Sequence, residues 1–175
     1  VSLVKIIRAE MDPTGNVGLL KCIYNIWKKP SKKAIIIYRW AKKMHDKNYK
    51  HIPIFLTNKL VVNYGSFISL NANIGRNLDF RHINGIVIGD GVTIANNVVI
   101  YQQVTLGGKN LGDFQKGNYP SIEDGVTIFA GAKIIGNITV GANSIVGANS
   151  VVINDVPANS VVAGIPAKVV KKLSY

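Results

Sequence analysis

Aliphatic residues recur every six positions through the second half of the chain. Ile88, Ile94, Ile100 and Leu106 form one series, and Ile122, Ile128, Ile134, Val140, Val146 and Val152 form a second. Four residues after many of these stands another small or aliphatic residue: Val92, Val98, Val104, Val126, Ala132, Ile138, Ser144, Ser150 and Val156. A period of six is neither the helical 3.6 nor the simple alternation of a strand. It predicts a parallel β-helix, a solenoid of short flat strands with small residues at its corners and three hexads to each triangular coil. The expected fold class is mainly β, a left-handed parallel β-helix preceded by a short N-terminal α-helical region.

The pattern starts at about Ser66, with Ile68, Ile74 and Phe80, slips by two residues near His82, and runs on in register from Ile88. Gly89, Gly107, Gly141 and Gly147 follow aliphatic positions, where a tight corner or a close neighbouring coil suits glycine. Between Leu106 and Ile122 the period fails in a polar, glycine-rich stretch. A loop of this size in a regular solenoid, residues 107–121, is expected to carry function. Residues 1–65 read as helical instead. Val4 and Ile7, then Leu19, Leu20, Ile23, Tyr24, Ile26 and Trp27, have helical spacing, with Pro13, Thr14 and Gly15 as a break between them. Lys28, Lys29 and Pro30 end the second helix, Ser31 is the expected N-cap of a third over about 32–47, and Pro53 suits the first turn of a fourth through Tyr64. Two parts follow: a basic helical region over 1–65, and a β-helix over 66–175 with its loop and a C-terminal tail.

Charge separates the same two parts. Residues 1–60 hold thirteen Lys and Arg against Glu10, Asp12 and Asp46, a net +10 of the chain's formal +12. A basic segment attracts phosphates and anionic lipid. No nucleic-acid motif is present and the aromatics are not interleaved with the basic residues on strands, so nucleic acid is not an expected partner. The 47% of hydrophobic residues suits a packed core. A single cysteine, Cys22, allows no internal disulfide and fits a reducing compartment. With no run of about 20 apolar residues and no basic-then-apolar order in Val1 to Ile7, the expected location is cytoplasmic.

Several short motifs are more specific than the period. His82-Ile83-Asn84-Gly85-Ile86-Val87-Ile88-Gly89 resembles the catalytic segment of serine acetyltransferases, and Val104-Thr105-Leu106-Gly107-Gly108 resembles that family's next segment. Ala130 to Ile138 and Ala163-Gly164-Ile165-Pro166-Ala167-Lys168 resemble its cofactor-side coils and tail. The resemblance covers about residues 35–170 and implies acetyl transfer from acetyl-CoA to a hydroxyl, with no metal. A hydroxyl attacks a thioester only when a base takes its proton, and histidine is the natural base near neutral pH. The resemblance gives that role to His82; His45 and His51 lie in the helical region. Backbone N–H groups at Gly107 and Gly108 are the expected oxyanion donors. The pantetheine arm is expected near Ala130, Gly131 and Ala148, with Lys133, Lys168 and Lys171 as candidates for the CoA phosphates. A metal-dependent β-helix enzyme would need three converging histidines, and only one lies in the coils.

The chain also departs from the family. The acidic residue that precedes the catalytic histidine is Arg81 here, the Arg-His pair before the loop's closing proline is Asn118-Tyr119, and the aspartate that orients the histidine aligns with Phe67. A serine acceptor carries an ammonium and a carboxylate, which need opposite charges around them. These changes lead to the expectation of a different acceptor, a saccharide of cell-surface polysaccharide biosynthesis, bound by Arg81, Asn118 and Tyr119 with Phe80, Tyr101, Gln102 and Gln103 beside them. Serine acetylation for cysteine biosynthesis is the alternative. Asp79, Asp90 and Asp113 are the nearest acids to orient His82. The resemblance also implies a homotrimer with active sites between subunits, and the basic helices are expected to place the enzyme against the anionic inner face of a membrane.

Overall fold

The computed structural model describes residues 2–11 and 16–174, without the Phe114 side chain. The expected break at Pro13, Thr14 and Gly15 lies outside the described residues. Four helices come first: α1 (Leu3–Met11), α2 (Leu19–Lys28), α3 (Pro30–His45) and α4 (His51–Tyr64). Ser31 is not the cap of α3. Pro30 takes the first helical position and Lys29 the cap position, in extended conformation and with no side-chain cap bond. Proline's fixed φ fits the first turn, and the N–H it lacks is one the helix leaves unpaired there. So Pro30 both ends α2 and starts α3. Pro53 sits in the first turn of α4 as expected, and Gly65, left-handed at φ +59°, closes that helix by donating to Leu60 O and Val61 O.

From Phe67 onward the chain winds into a left-handed parallel β-helix. One face stacks β1 (Phe67–Ile68), β4 (Val87–Ile88), β7 (Thr105–Gly107), β10 (Lys133–Ile135) and β13 (Val151–Val152). The second stacks β2 (Asn73–Ile74), β5 (Thr93–Ile94), β8 (Ser121–Ile122) and β11 (Thr139–Val140). The third stacks β3 (Asp79–Phe80), β6 (Val99–Ile100), β9 (Thr127–Ile128), β12 (Ile145–Val146) and β14 (Ser160–Gly164), and β15 (Ala167–Lys172) closes it antiparallel to β14. The second residue of each two-residue strand points inward. Ile68, Ile88, Leu106, Ile134 and Val152 make one buried column; Ile74, Ile94, Ile122 and Val140 a second; Phe80, Ile100, Ile128, Val146 and Val162 a third. Each such aliphatic side chain withdrawn from water contributes roughly 1.5–3 kcal/mol.

The register explains both interruptions. Val87 pairs with Thr105 and Ser121 with Thr139, eighteen positions apart, which is three hexads. Phe67 pairs with Val87, twenty apart, so the first coil carries two extra residues. They lie between β3 and β4, around His82. Thr105 pairs with Lys133, twenty-eight apart, because the 107–121 loop, with its short helix α5 (Asp113–Lys116), is extruded between β7 and β8. The left-handed corners fall mainly to Asn77, Asn97, Gln103, Asn143, Asn149 and Asn159, with Gly125 and Gly131. Asparagine tolerates positive φ better than most residues. Gly89, Gly107, Gly141 and Gly147 do not adopt it. A Cβ on Gly141 would stand 2.4 Å from Ala158 N, so there glycine answers to a close neighbouring coil.

The first coil would expose a rim of backbone carbonyls had the helices not covered it. Its N–H groups donate onward to the second coil, as Phe67 N does to Ile86 O at 2.8 Å. Its carbonyls therefore face α3. Arg39 donates to Ile74 O at 2.6 Å and to Gly75 O, while its Nε meets Glu10 Oε1 at 2.7 Å. The buried Tyr38 hydroxyl donates toward Ser69 O and Ala72 O at 3.4 and 3.3 Å. Burial pushes its pKa up to about 12, so it remains a donor.

Candidate active site

His82 stands exposed on the turn made by the two extra residues. That turn is pinned from both sides. Buried Ser66 donates through Oγ to Ile83 O and accepts the Ile86 N–H at 3.1 Å. Gly85, at φ +70°, donates to Tyr64 O at 3.1 Å, and Asn84 O accepts the Gln103 N–H at 2.9 Å. Ile83 and Ile86 anchor it in the core. A local bulge in an otherwise regular wall thus aims one imidazole outward from a rigid base.

Below His82 the same edge of the prism forms a continuous strip. Tyr101 meets the imidazole edge-on at 6.4 Å between ring centroids, and Phe129 stacks on Tyr101 at 4.9 Å. Ala130 and Gly131 continue it: Gly131 N donates to Gln102 O at 2.9 Å, and Ala130 O accepts the Asn149 N–H at 2.8 Å, beside Ala148. Next comes Gly147, where an added Cβ would lie 3.1 Å from the Ala163 Cβ. Lys168 sits opposite Ala163 in the closing hairpin, and Lys171 opposite Val161. Lys133 donates its ammonium to Gln103 O on this edge. His82, Ala130, Gly131 and Ala148 therefore share one edge of one chain, with Lys168 near its foot, whereas Lys171 lies opposite Val161 at the start of β14. Phe129 is a residue the sequence reading missed; its signal was an aromatic where most coils turn with small residues. Gln102 Oε1 is buried there with no hydrogen-bond partner among the described residues.

The other expected residues lie elsewhere. Gly107 and Gly108 begin the loop, and Asn118 and Tyr119 end it, at the corner between the first and second faces. His82 occupies the corner between the third and first faces. The width of a face, about 15 Å at ~3.3 Å per residue, separates the two sets within one chain. At its own corner the loop is well built. The buried Asp113 carboxylate accepts from the N–H groups of Lys109 and Asn110 at 2.7 and 2.6 Å and from Asn118 Nδ2 at 3.2 Å. The Asn110 N–H bond, helped by Asn118, holds its carboxyl below the ordinary range. Tyr119 packs its ring over Gly89 and Gly91, and burial first, then Asp90 and Asp113, raises its phenol.

None of the three acids reaches His82. Asp79 meets Lys32 and Arg81, each at 3.2 Å; Asp90 accepts from Ser69 Oγ; Asp113 holds the loop. Phe67 is half exposed on the first face, and Phe80 is buried in the core, so Phe80 offers no surface to an acceptor. A cavity of about 690 Å³ lies between α4 and β1 and contains none of the expected catalytic residues. Among the described residues no cluster of His, Cys, Asp or Glu could hold a metal ion.

The family described as bacterial transferase hexapeptide (six repeats) matches residues 119–154. The solved serine acetyltransferase of Neisseria gonorrhoeae is 34% identical, with 99% of this chain and 68% of that one covered and a TM-score of 0.80. The chain belongs to the serine acetyltransferase family. A serine acetyltransferase of Brucella abortus, solved in complex with coenzyme A, is 32% identical with a TM-score of 0.78, covering 98% of this chain and 68% of that one. The curated serine acetyltransferase of Haemophilus influenzae is 43% identical over 141 residues, 79% of this chain and 51% of the relative. The chain spans about half the length of the curated relatives it matches. These relatives overturn the saccharide acceptor expected from the departures at Arg81, Asn118 and Tyr119. The structure supplies the physical reason. Arg81 does not stand as a bare cation beside His82 but leans on Asp79, while Asn118 and Tyr119 have structural duties in the loop. Substitutions with such roles do not specify a sugar.

Proposed function

We propose that this chain is an acetyl-CoA-dependent O-acetyltransferase that acetylates the hydroxyl of serine. The observation that carries the reading is His82, held outward on its pinned turn at the head of the Tyr101–Phe129 edge, in a chain 43% identical to a serine acetyltransferase. The acetyl-CoA arm runs down that edge past Ala130, Gly131 and Ala148, with Lys168 toward its phosphates. Gln102 Oε1 is an acceptor in want of a donor, which an amide N–H of the arm would supply. The imidazole takes the serine Oγ proton as Oγ attacks the thioester carbonyl carbon. The tetrahedral oxyanion accepts hydrogen bonds from backbone N–H groups at Gly107 and Gly108. The C–S bond then breaks, the imidazolium returns its proton to the thiolate, and O-acetylserine and CoA leave. The test is CoA release with L-serine as acceptor. Saturable release that falls roughly 10²–10⁴-fold in His82→Ala is expected; no release with serine in the intact protein would overturn the reading.

Three copies about a threefold axis complete this site, so that the His82 edge of one subunit faces the loop of the next. The separation of His82 from Gly107, Gly108, Asn118 and Tyr119 by a whole face supports it. Light scattering is expected to return three chains, and a single chain would contradict it.

The helices over 1–65 form the basic part and 66–175 the transferase part. Leu20, Ile23, Tyr24 and Trp27 are exposed along one stripe of α2, beside Lys21, Lys28 and Lys29. That composition suits peripheral contact of a cytoplasmic enzyme with anionic lipid. Among the described residues no helix is long and apolar enough to cross a membrane. Co-flotation with anionic vesicles, lost in high salt, is the expected result; equal flotation with neutral vesicles would refute it.

A further inference from the structure

α2 carries apolar residues on two sides. Leu19, Cys22 and Ile26 pack inward on the core and anchor the helix. Leu20, Ile23, Tyr24 and Trp27 stand outside at helical spacing, Leu20 85% and Trp27 78% exposed. A contiguous apolar stripe left in water marks a surface that meets something. The Tyr24 and Trp27 ring centroids lie 6.4 Å apart, and both residue types favour the boundary between apolar and aqueous phases.

The stripe ends at a basic cavity. Lys28, Lys29, Ser31, Lys32, Asp79 and Arg81 line a space of about 420 Å³. Lys28 joins the two features, since its ammonium stands 5.9 Å over the Tyr24 ring and its side chain lines the cavity. Asp79 answers Lys32 and the Arg81 Nε, each at 3.2 Å. Lys28 and Lys29 have no carboxylate partner among the described residues. Four cations against one carboxylate leave an excess of three positive charges, beside the Ser31 hydroxyl. A phosphomonoester brings about −1.5 to −2 of charge and three acceptor oxygens. A phosphodiester, with a single charge, answers less of that excess.

We propose that the α2–α3 junction is a headgroup pocket for a phosphomonoester lipid. The outer stripe of α2 enters the bilayer interface, and Lys28 and Lys29, backed by Lys32, hold the phosphate. This rests on the reading of peripheral membrane contact and adds which lipid is preferred and where its phosphate sits. Lysines spread over a surface attract any anionic lipid. A recess that offers several ammonium groups to one phosphate selects among anionic lipids, because charge-assisted hydrogen bonds depend on the number of oxygens that can accept them. The pocket serves docking, and acetyl transfer does not pass through it.

The experiment measures co-flotation of the intact protein with phosphatidylcholine vesicles doped with phosphatidate, or with phosphatidylglycerol to the same surface potential. Phosphatidate vesicles are expected to bind roughly tenfold more tightly, the worth of one further charge-assisted hydrogen bond. Lys28→Gln combined with Lys29→Gln should erase that preference, whereas Trp27→Ser should weaken binding to both vesicles alike. Equal binding of the two anionic vesicles by the intact protein overturns the pocket and leaves the membrane reading standing. A preference for phosphatidate that survives the lysine double variant overturns it too. Binding to neither vesicle sinks the pocket and the membrane reading together. A particle mass that then falls in Trp27→Ser, by light scattering, would assign the stripe to a second copy of this chain. All three side chains are exposed, so the variants should melt with the parent, which calorimetry checks.

Discussion

The Tyr119 ring rests on Gly91 so closely that a Cβ there would come within 2.3 Å of Cδ2. Gly89 touches the same ring, where a Cβ would lie 2.8 Å from Cε1. Neither glycine has positive φ, so the requirement is for space and not for backbone freedom. The loop is therefore keyed into the corner of the preceding coil by one aromatic residue. Gly91→Ala should displace the ring and cost about 1–3 kcal/mol, as overpacking does. Chemical denaturation measures the loss, and the double variant Gly91→Ala with Tyr119→Ala should recover part of it. A single variant as stable as the parent would show that the ring does not seat the loop.

Asp113 makes the loop sensitive to acid. Its carboxyl is held below the ordinary value of 3.8, first by the Asn110 N–H. A depressed carboxyl contributes its stabilisation in full above the free value and loses it as pH falls through the folded one. The loop should keep its structure from neutral pH down to about 4 and loosen below that. The amide shifts of Lys109 and Asn110 report it directly by NMR. Asp113→Asn should show the loosened shifts already at neutral pH, and shifts insensitive to both changes would refute the role.

Ser66 supports His82 without touching substrate. Its hydroxyl bridges Ile83 O and the Ile86 N–H across the turn. Ser66→Ala leaves both unmatched, and a small displacement of the imidazole should lower kcat by roughly 10–100-fold. KM for acetyl-CoA should hardly change, because the strip proposed for the cofactor begins one coil away, at Tyr101. A raised KM with unchanged kcat would contradict a positioning role.

Arg39 carries the seam between helices and coils. Arg39→Met leaves Ile74 O and Gly75 O without donors and Glu10 without its cation. The expected loss is about 2–3 kcal/mol, which lowers Tm by roughly 5–10 °C in a chain of this size. Calorimetry tests it, and a variant melting with the parent would mean that water serves those carbonyls equally well.

Much of this architecture is legible in the chain. A six-residue period survives any packing, because each coil needs three inward side chains and each needs a neighbour above and below. Spacing alone assigns Ile88, Ile94 and Ile100 to three faces, and the slip near His82 marks the turn that the register places between β3 and β4. The third helix's cap was misread because Ser31 is a good N-cap by type, whereas Pro30 decides the start by its fixed φ. The acceptor is not legible from charge type, because a charged side chain's partner is set by the fold. Arg81 beside His82 looks like a repelling cation in one dimension and has Asp79 beside it in three.

The sequence alone determines the repeat, its interruptions and the one histidine within the coils, since these follow from local side-chain spacing. Only the tertiary structure decides which corner each interruption occupies. That placement sets His82 with Tyr101 and Phe129 on one edge and Gly107 with Tyr119 on another, because a solenoid brings together residues a whole coil apart and separates residues that lie one face away.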